Sequence, residues 1–322
     1  MTNAYDVFNG DADGLCALLQ LRLAEPRAAE LVTGVKRDIA LLSRVPQHEA
    51  AEITVLDISL SKNREALEQQ LAIGSKVFYA DHHDPGGDIP QHANFAQHID
   101  TDAQVCTSLI IDRLLQGRFH TWGITAAFGD NLVNTAEALS RQAGFDEQKM
   151  DQLKTLGICL NYNGYGSSIE DLHFHPAELF RAMEGYNDPF EFMSDARETW
   201  EKLRDGYEQD LSQGLEITPK YSEGAVSIIE LPDAPWARRV SGPLGNELCN
   251  RNPDKAFGIL TSNSAGNFTV SIRAPLNNRA GANEVASQFA TGGGRKAAAG
   301  INDLPQKELP LFIDAMKRRY SQ

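Results

Sequence analysis

Residues 76–83 read Lys76-Val77-Phe78-Tyr79-Ala80-Asp81-His82-His83, a short apolar run that ends in one acid and two histidines. Val, Phe and Tyr within so short a run are typical of a buried β-strand. Pro85-Gly86-Gly87 come next and break the chain. The pattern therefore predicts a strand that delivers Asp81, His82 and His83 to its carboxyl end.

Further acidic residues stand at comparable points on either side of this strand. Asp11 and Asp13 come after the apolar run Tyr5-Asp6-Val7-Phe8, and Asp57 ends the run Ile53-Thr54-Val55-Leu56. Asp130 comes after Phe128-Gly129. Because an open α/β sheet collects its ligands at the carboxyl ends of its strands, we expect these side chains to converge in one crevice.

Such a cluster of carboxylates and imidazoles would repel itself without a cation, so the pattern predicts a metal site. An Asp/His set without cysteine favours Mn²⁺, with Mg²⁺, Co²⁺ or Fe²⁺ as substitutes, over structural zinc. We expect Asp11 and Asp13 to bind one ion each, Asp57 to bridge the two, and His82 and Asp130 to complete the ligand set. Two ions about 3.5–4 Å apart would hold a bridging hydroxide and polarise a phosphoryl oxygen for in-line attack.

Strand-like and helix-like segments alternate through the first half of the chain, which predicts an α/β fold with a mainly parallel sheet. Helical patterns cover 103–116, 134–144 and 147–161. Residues 189–215 carry apolar side chains at helical spacing, which favours a long connecting helix, with a surface helix of the first domain as the alternative. A second, smaller α/β unit has strand-like runs at 225–229, 257–260 and 268–272 and a final helix near 307–319. The predicted organisation is a catalytic metal-binding domain at 1–188, a connecting helix at 189–218 and a substrate-binding domain at 219–322.

The net charge of −14 is unevenly distributed. Residues 221–322 contain 12 Lys+Arg and 9 Asp+Glu, a balance of +3, so the first 220 residues carry 18 and 35, a balance of −17. An acidic first domain argues against wrapping long duplex DNA and is compatible with a small phosphate-bearing substrate. No apolar run reaches the roughly 18 residues of a membrane span, and the start of the chain does not resemble a signal peptide. Cys16, Cys106, Cys159 and Cys249 are widely spaced, which favours core positions in a protein of the reducing cytoplasm.

Taken together, these motifs resemble the DHH phosphoesterase superfamily, in the subgroup with the DHH-associated C-terminal domain. Asp11-Ala12-Asp13-Gly14 resembles the first motif, including its RecJ-like form, Asp57 the second, Asp81-His82-His83 the third and Asp130 the fourth. The resemblance runs nearly end to end. It implies phosphoester hydrolysis by a pair of Mn²⁺ ions in a cleft between the two domains. It also implies that His83 stabilises the scissile phosphate or donates to the leaving oxygen, while Asp81 orients an imidazole.

The C-terminal part resembles the substrate-binding domain of that subgroup. Val270-Ser271-Ile272-Arg273 is similar to its substrate-arginine strand, and residues 283–286 and 292–300 are similar to the family segments that come after this strand. The resemblance implies that the substrate's phosphate or base is bound by Arg273, Asn283, Arg295 and the backbone of Gly292, Gly293 and Gly294.

The chain departs from the family pattern at two places. Val7 stands where many members have a metal-binding histidine, and Asn9 stands where RecJ-like members have aspartate; Asn9 is a weak oxygen ligand or a turn cap. Arg295 replaces a histidine after the three glycines. Arginine keeps a planar fork of phosphate donors but does not exchange protons near neutral pH. Arg295 is therefore interpreted as a permanent phosphate or base clamp, the alternative being that it faces solvent.

The favoured prediction is a Mn²⁺-dependent phosphodiesterase that acts on short linear or cyclic dinucleotides. A RecJ-like single-strand exonuclease and a non-catalytic nucleotide sensor remain the alternatives. The apolar residues of the last helix, among them Leu309, Leu311, Phe312 and Met316, serve either a homodimer or the core.

Overall fold

The computed structural model describes residues 3–263 and 265–320. The chain divides into two compact units, Met1–Asp205 and Gly206–Gln322. The boundary falls inside a helix, and each unit has its own sheet. The two units are therefore described separately.

The first unit contains, within its described residues, a five-stranded sheet in the order β2-β1-β3-β4-β5, in which all neighbouring strands are parallel. This confirms the predicted fold class. The strands are β1 Asn3–Phe8, β2 Glu30–Val32, β3 Ala51–Leu56, β4 Lys76–Asp81 and β5 Phe95–Ile99.

Helices surround this sheet and supply most of the remaining core of the first unit. Side chains with no exposed surface include Leu15, Leu67, Trp122 and Leu156. The helices are α1 Ala12–Ala24, α2 Leu60–Ala72, α3 Thr107–Leu114, α4 His120–Gly129, α5 Val133–Gln142, α6 Glu147–Asn163, α7 Pro176–Met183, α8 Pro189–Asp195 and α9 Arg197–Leu215, the last of which crosses the unit boundary.

Helices α4 and α7 and strands β2 and β5 of the first unit were not predicted. Three of these four elements lack the pattern that marks a regular element. Helix α4 is apolar and buried nearly all round, so it has no polar face from which a helical period could be read. Strands β2 and β5 are the two edges of the sheet. Edge strands are short or partly solvated and therefore lack a buried apolar run.

The prediction of one connecting helix over 189–218 is wrong in detail, because the segment forms two helices. Phe192 of α8 is fully buried, with its ring centroid 6.1 Å from that of Trp122 and 5.8 Å from that of Tyr186. This aromatic packing ties α8 to the core of the first unit. Ala196 then leaves the helical conformation, with φ −90° and ψ 42°, before α9 begins.

The second unit contains a six-stranded mixed sheet in the order β10-β11-β9-β8-β7-β6, counted over its described residues. Strands β7 and β8 are parallel and the other neighbours are antiparallel. The elements are β6 Tyr221–Glu223, β7 Val226–Leu231, α10 Pro235–Arg251, β8 Ala256–Ser262, β9 Phe268–Arg273, α11 Ala282–Ala286, β10 Gly292–Gly294, β11 Ala298–Leu304 and α12 Leu309–Tyr320.

Helix α12 packs on one face of the second sheet. Leu309, Phe312 and Met316 are buried in that core, whereas Leu311 is 60% exposed. Most of the apolar stripe on the last helix therefore serves the core. The four cysteines are buried, and among the described residues no helix is both long and apolar enough to cross a bilayer.

Candidate metal centre

The carboxyl ends of three neighbouring strands form the floor of the site. Phe8 of β1 is in register with Leu56 of β3, which is in turn in register with Ala80 of β4. The next residues along the chain are the motif-one turn after β1, Asp57 after β3 and Asp81 at the end of β4. The strand-end rule used on the sequence thus brings these acids to one edge of the sheet.

Asp11 caps helix α1 with one carboxylate oxygen. Its Oδ1 accepts hydrogen bonds from the backbone N–H groups of Asp13, at 2.9 Å, and Gly14, at 3.1 Å. Gly14 must be glycine here, since a Cβ would lie 2.1 Å from the carbonyl oxygen of Asn9. The other oxygen, Oδ2, bonds to the ammonium of Lys36. Both oxygens of Asp11 are therefore engaged.

Asp13 is held by the start of helix α3. The backbone N–H of Thr107 donates to its Oδ2 and that of Ser108 to its Oδ1, each at 2.7 Å. The hydroxyl of Ser108 donates back to the carbonyl oxygen of Asp13 at 2.8 Å. These bonds fix the carboxylate in one orientation, and they place negative charge at a helix N-terminus, which stabilises it.

Asp57 occupies an unusual backbone conformation for a residue with a side chain, with φ +58°. Its N–H donates to the carbonyl of Ala80 at 3.1 Å, so the turn is tied to β4. The hydroxyl of Thr107 donates to its Oδ1 at 3.2 Å. A left-handed aspartate costs backbone free energy, and such strain often occurs at functional sites.

Asp130 reaches the site from a helix rather than from a strand. It is the residue that ends helix α4, with its N–H bonded to the carbonyl of Ala126. Its Oδ1 lies 3.9 Å from Lys36 Nζ and its Oδ2 lies 3.9 Å from His82 Nε2. Oδ2 is buried and has no hydrogen-bond partner within the described part of the chain.

His82 has the geometry of a metal ligand. Its Nδ1 lies 3.0 Å from the carbonyl oxygen of Val105. A carbonyl can only accept, so Nδ1 carries the proton and the lone pair is on Nε2. That nitrogen faces three carboxylates, 3.5 Å from Asp57 Oδ1, 3.9 Å from Asp130 Oδ2 and 4.0 Å from Asp13 Oδ2. A backbone carbonyl behind a histidine is the usual outer partner of a metal-bound imidazole.

His83 is paired with Asp81. Its Nδ1 lies 2.7 Å from Asp81 Oδ1, while the other oxygen of Asp81 is buried without a hydrogen-bond partner in the described residues. Burial acts to lower the pKa of His83, but the hydrogen bond and charge of Asp81 outweigh it and the pKa is raised. The imidazole is 38% exposed, so His83 is the more accessible of the two histidines.

The electrostatics of the cluster show a deficit of positive charge. Burial, followed by the carboxylates of Asp13 and Asp11, raises the pKa of Asp57 well above its usual range. Burial also raises the pKa of Asp130, against the opposing effect of Lys36. Ligand atoms of Asp57, His82 and His83 lie within 4.8 Å of one another. The orphaned Oδ2 of Asp130 and the two other carboxylate oxygens that face the lone pair of His82 fit a divalent cation of the hard or borderline class.

Lys36 and Asn161 belong to this site and were not predicted from the sequence. The Lys36 ammonium bonds to Asp11 Oδ2 and, at 2.9 Å, to Asn161 Oδ1. Lys36 lies just beyond the end of β2, the strand beside β1. The strand-end rule would have found it had a strand as short as β2 been recognised.

Val7 and Asn9, which depart from the family pattern near the first motif, lie in and just after strand β1. Val7 is fully buried in β1 and offers no ligand atom. Asn9 does not cap helix α1, since that position belongs to Asp11. The Asn9 amide donates to the carbonyl oxygen of Lys36 at 3.1 Å, and its Oδ1 is buried without a partner among the described atoms.

The remaining predicted site residues lie in the second unit. Arg273 is oriented by its own neighbours: its guanidinium donates to Asn246 Oδ1 at 2.7 Å and to Ser271 Oγ at 2.9 Å. Asn283 lies in the first turn of α11, and its Oδ1 is buried without a partner in the described residues. Gly292, Gly293 and Gly294 form β10, the edge strand of the second sheet, and Arg295 after them is exposed. Their roles in binding substrate stay predictions.

Comparison with known proteins rests on structure alone, because no family model matches the chain and no curated protein matches it in sequence. The exonuclease RecJ bound to manganese is similar with a TM-score of 0.63 and 15% identity over 99% of this chain and 90% of that one. The pGpG-specific phosphodiesterase PggH from Vibrio cholerae gives a TM-score of 0.56 and 12% identity over 99% of each chain. A DHH domain described as belonging to a family of ribosomal proteins gives 0.66 and 14% identity over 99% of this chain and 86% of that one. At these identities, the likeness concerns the fold.

Proposed function

On the premise that the chain has a DHH phosphoesterase-type fold, we propose that it is a divalent-metal-dependent phosphodiesterase with Mn²⁺ as the preferred ion. The observation that carries the proposal is His82: its protonated Nδ1 is held by Val105, and its Nε2 lone pair faces the carboxylates of Asp13, Asp57 and Asp130. A purely structural histidine in such surroundings would instead donate to one of these acids within hydrogen-bond distance.

The residues that would hold the ion are Asp13, Asp57, His82 and Asp130. Their donor set of carboxylate oxygens and one imidazole nitrogen suits Mn²⁺, with Mg²⁺ or Co²⁺ as substitutes. A divalent ion bound there supplies positive charge for a phosphoryl oxygen and lowers the pKa of a bound water. Hydrogen bonds to Thr107 and Ser108 keep Asp13 in place before the ion binds, so the site is pre-organised.

His83 is proposed to act on the substrate's phosphate. Asp81 holds its Nδ1, which leaves Nε2 as the atom that contacts the scissile phosphate or gives a proton to the leaving oxygen. The raised pKa of His83, caused chiefly by its bond to Asp81 acting against burial, keeps the imidazole protonated to a higher pH. This suits the role of a proton donor.

Short linear or cyclic dinucleotides are the proposed substrates. The balance of −17 over the first 220 residues disfavours a long polyanion, whereas the second unit offers Arg273 and Arg295 for one or two phosphates. The similarity to a pGpG-specific phosphodiesterase supports linear dinucleotides as the first to test. Neither a membrane nor duplex DNA is proposed as a partner.

Two other functions have a specific observation in their favour. The likeness to RecJ supports a single-strand exonuclease. The contacts of Lys36 with Asp11 and Asn161 support a non-catalytic nucleotide sensor, because a cationic side chain already balances part of the acidic cluster. The sensor would bind a dinucleotide with Mn²⁺ and leave it intact.

The test is a chromatographic time course with Mn²⁺. It offers pGpG, pApA, cyclic di-GMP, cyclic di-AMP, a 3′,5′-bisphosphate nucleoside and a single-stranded DNA oligonucleotide. The Asp57→Asn variant removes the buried acid, and Asp88→Asn changes an exposed acid as the matched control. Dinucleotide turnover that is lost only in Asp57→Asn supports the phosphodiesterase. Degradation of the oligonucleotide alone supports the exonuclease, and binding without turnover of any substrate supports the sensor.

A further inference from the structure

Lys36 places a fixed positive charge inside the acidic cluster. Its ammonium bonds to Asp11 Oδ2 and to Asn161 Oδ1, and it lies 3.9 Å from Asp130 Oδ1. The side chain is 27% exposed, whereas that of Asp11 is 4% exposed. The ion pair therefore lies largely out of solvent, where charge–charge attraction is stronger than at the surface.

The backbone around Lys36 is fixed from both sides of the site. Its N–H donates to the carbonyl of Gly164 at 2.8 Å, just beyond the end of α6. Its carbonyl accepts from the Asn9 amide at 3.1 Å, in the turn after β1. A lysine on a free surface loop would have neither tether. The ammonium is thus delivered to Asp11 by the fold, and not by the flexibility of a long side chain.

On the Asp11 side of the cluster, the carboxylate already has a cationic partner, the ammonium of Lys36. Asp11 Oδ1 accepts two backbone N–H groups and Oδ2 accepts from Lys36. Asn161 Oδ1 accepts from the same ammonium. On the His82 side, by contrast, the imidazole lone pair and Asp130 Oδ2 have no hydrogen-bond partner within the described part of the chain. The Asp11 side of the cluster therefore already contains a cation, whereas the His82 side lacks one among the described residues.

We propose that the ammonium of Lys36 is a built-in cation that takes the place of one metal ion, so that the chain binds a single divalent ion on the His82 side. This inference rests on the proposed metal-dependent function. It replaces the sequence-based expectation of two metal ions. Asp130 would then face two cations, the ammonium of Lys36 on one side and the exchangeable metal ion on the other.

The experiment measures how many Mn²⁺ ions the full chain binds, by equilibrium dialysis with metal analysis and by electron paramagnetic resonance. We expect one ion per wild-type chain, with the spectrum of an isolated Mn²⁺. Lys36→Ala should gain a second ion, with the exchange-coupled spectrum of a close pair. Lys36→Arg keeps the charge and should stay at one. Lys76→Ala removes a lysine that is 74% exposed, at the opposite end of β4, and is the matched control.

The wild-type result alone can overturn the proposal, whether or not a variant folds. A coupled pair of ions in the wild-type chain overturns it, and so does a Lys36→Ala chain that folds by circular dichroism and gains no ion. Hydrolysis is measured on the same samples. Turnover with two ions in the wild-type chain supports the proposed function and refutes the role of Lys36. One ion without turnover supports the role of Lys36 and refutes the proposed function.

Discussion

The Nδ1 atom of His82 donates a hydrogen bond to the carbonyl oxygen of Val105 at 3.0 Å. This bond fixes both the tautomer and the direction of the ring, so that Nε2 meets the acids of the site as a lone pair. The bond joins the end of β4 to the segment before α3, and no local sequence pattern predicts it.

His82→Ala should therefore remove metal binding rather than only slow turnover. Loss of an outer partner of a metal ligand commonly costs about 10–100-fold in affinity, so loss of the ligand itself should lower the affinity for Mn²⁺ by at least about 100-fold. Titration of Mn²⁺ by calorimetry measures this. His92→Ala, at an exposed histidine, is the control and should leave the affinity unchanged. Equal affinities in the two variants would remove His82 from the ligand set.

Arg295→Ala should weaken substrate binding with little change in kcat. Arg295 is exposed and comes directly after the edge strand β10, so its guanidinium is available to a phosphate. A hydrogen bond to a charged group contributes about 1.5–3 kcal/mol, which corresponds to a rise in KM of about 10–150-fold. Arg279→Ala, at another exposed arginine, is the control for general charge. If both variants raise KM equally, Arg295 acts only through the electrostatic field.

Two adjacent glycines should respond differently to a methyl group. A Cβ at Gly292 would lie 1.8 Å from the carbonyl oxygen of Ala286, whereas a Cβ at Gly293 would meet nothing within 4 Å. Gly292→Ala should therefore displace β10 from α11 and cost about 1–3 kcal/mol. Gly293→Ala should stay within about 0.5 kcal/mol. Urea unfolding of both variants measures the difference, and equal stabilities would contradict the packing described.

Arg22→Met should be strongly destabilising. Arg22 donates two hydrogen bonds of 2.7 Å to Asp6, and the two side chains are 8% and 1% exposed. Removing one partner of a buried ion pair costs about 3–5 kcal/mol. The comparison is Arg113→Met, whose pair with Asp100 is exposed and should contribute about 0.2–1 kcal/mol. Thermal unfolding measures the loss of stability in both variants. An equal loss would show that Arg27, which also donates to Asp6, compensates for the missing Arg22.

The pair of His120 and Asp112 should make stability depend on pH. His120 Nδ1 donates a hydrogen bond of 2.7 Å to Asp112 Oδ2, and this bond raises the pKa of His120 against the effect of burial. The stabilisation is therefore fully present below the unfolded pKa of about 6.5 and is lost as pH rises through the higher folded value.

His120→Gln should consequently lower the free energy of unfolding most at acidic pH, with the difference from wild type shrinking as pH rises. Denaturant unfolding between about pH 5 and 8 covers most of the transition. His92→Gln serves as the exposed control. A difference that is constant over this range would mean that the pair contributes no proton-linked stability.

Much of the fold could be predicted because its signals are local. The buried strands β1, β3 and β4 appear as apolar runs, and the acids that come after them mark the carboxyl edge of the sheet. Helices α2 and α6 have both buried and exposed faces, and helix α1 has leucines at helical spacing. The edge strands β2 and β5 and the almost wholly buried helix α4 lack such contrasts, so they were missed.

The sequence by itself determined that Asp11, Asp13, Asp57, Asp81, His82 and His83 would lie at one end of a parallel sheet, because alternating strands and helices set the strand direction and these residues come at or just after the ends of apolar runs. Only the tertiary structure decided what surrounds them. Lys36 lies 25 residues from Asp11 and 125 from Asn161 in the chain, and Val105 lies 23 residues from His82. Such contacts depend on how loops are tethered between elements, and a bond between residues so far apart has no period or spacing that a sequence can display.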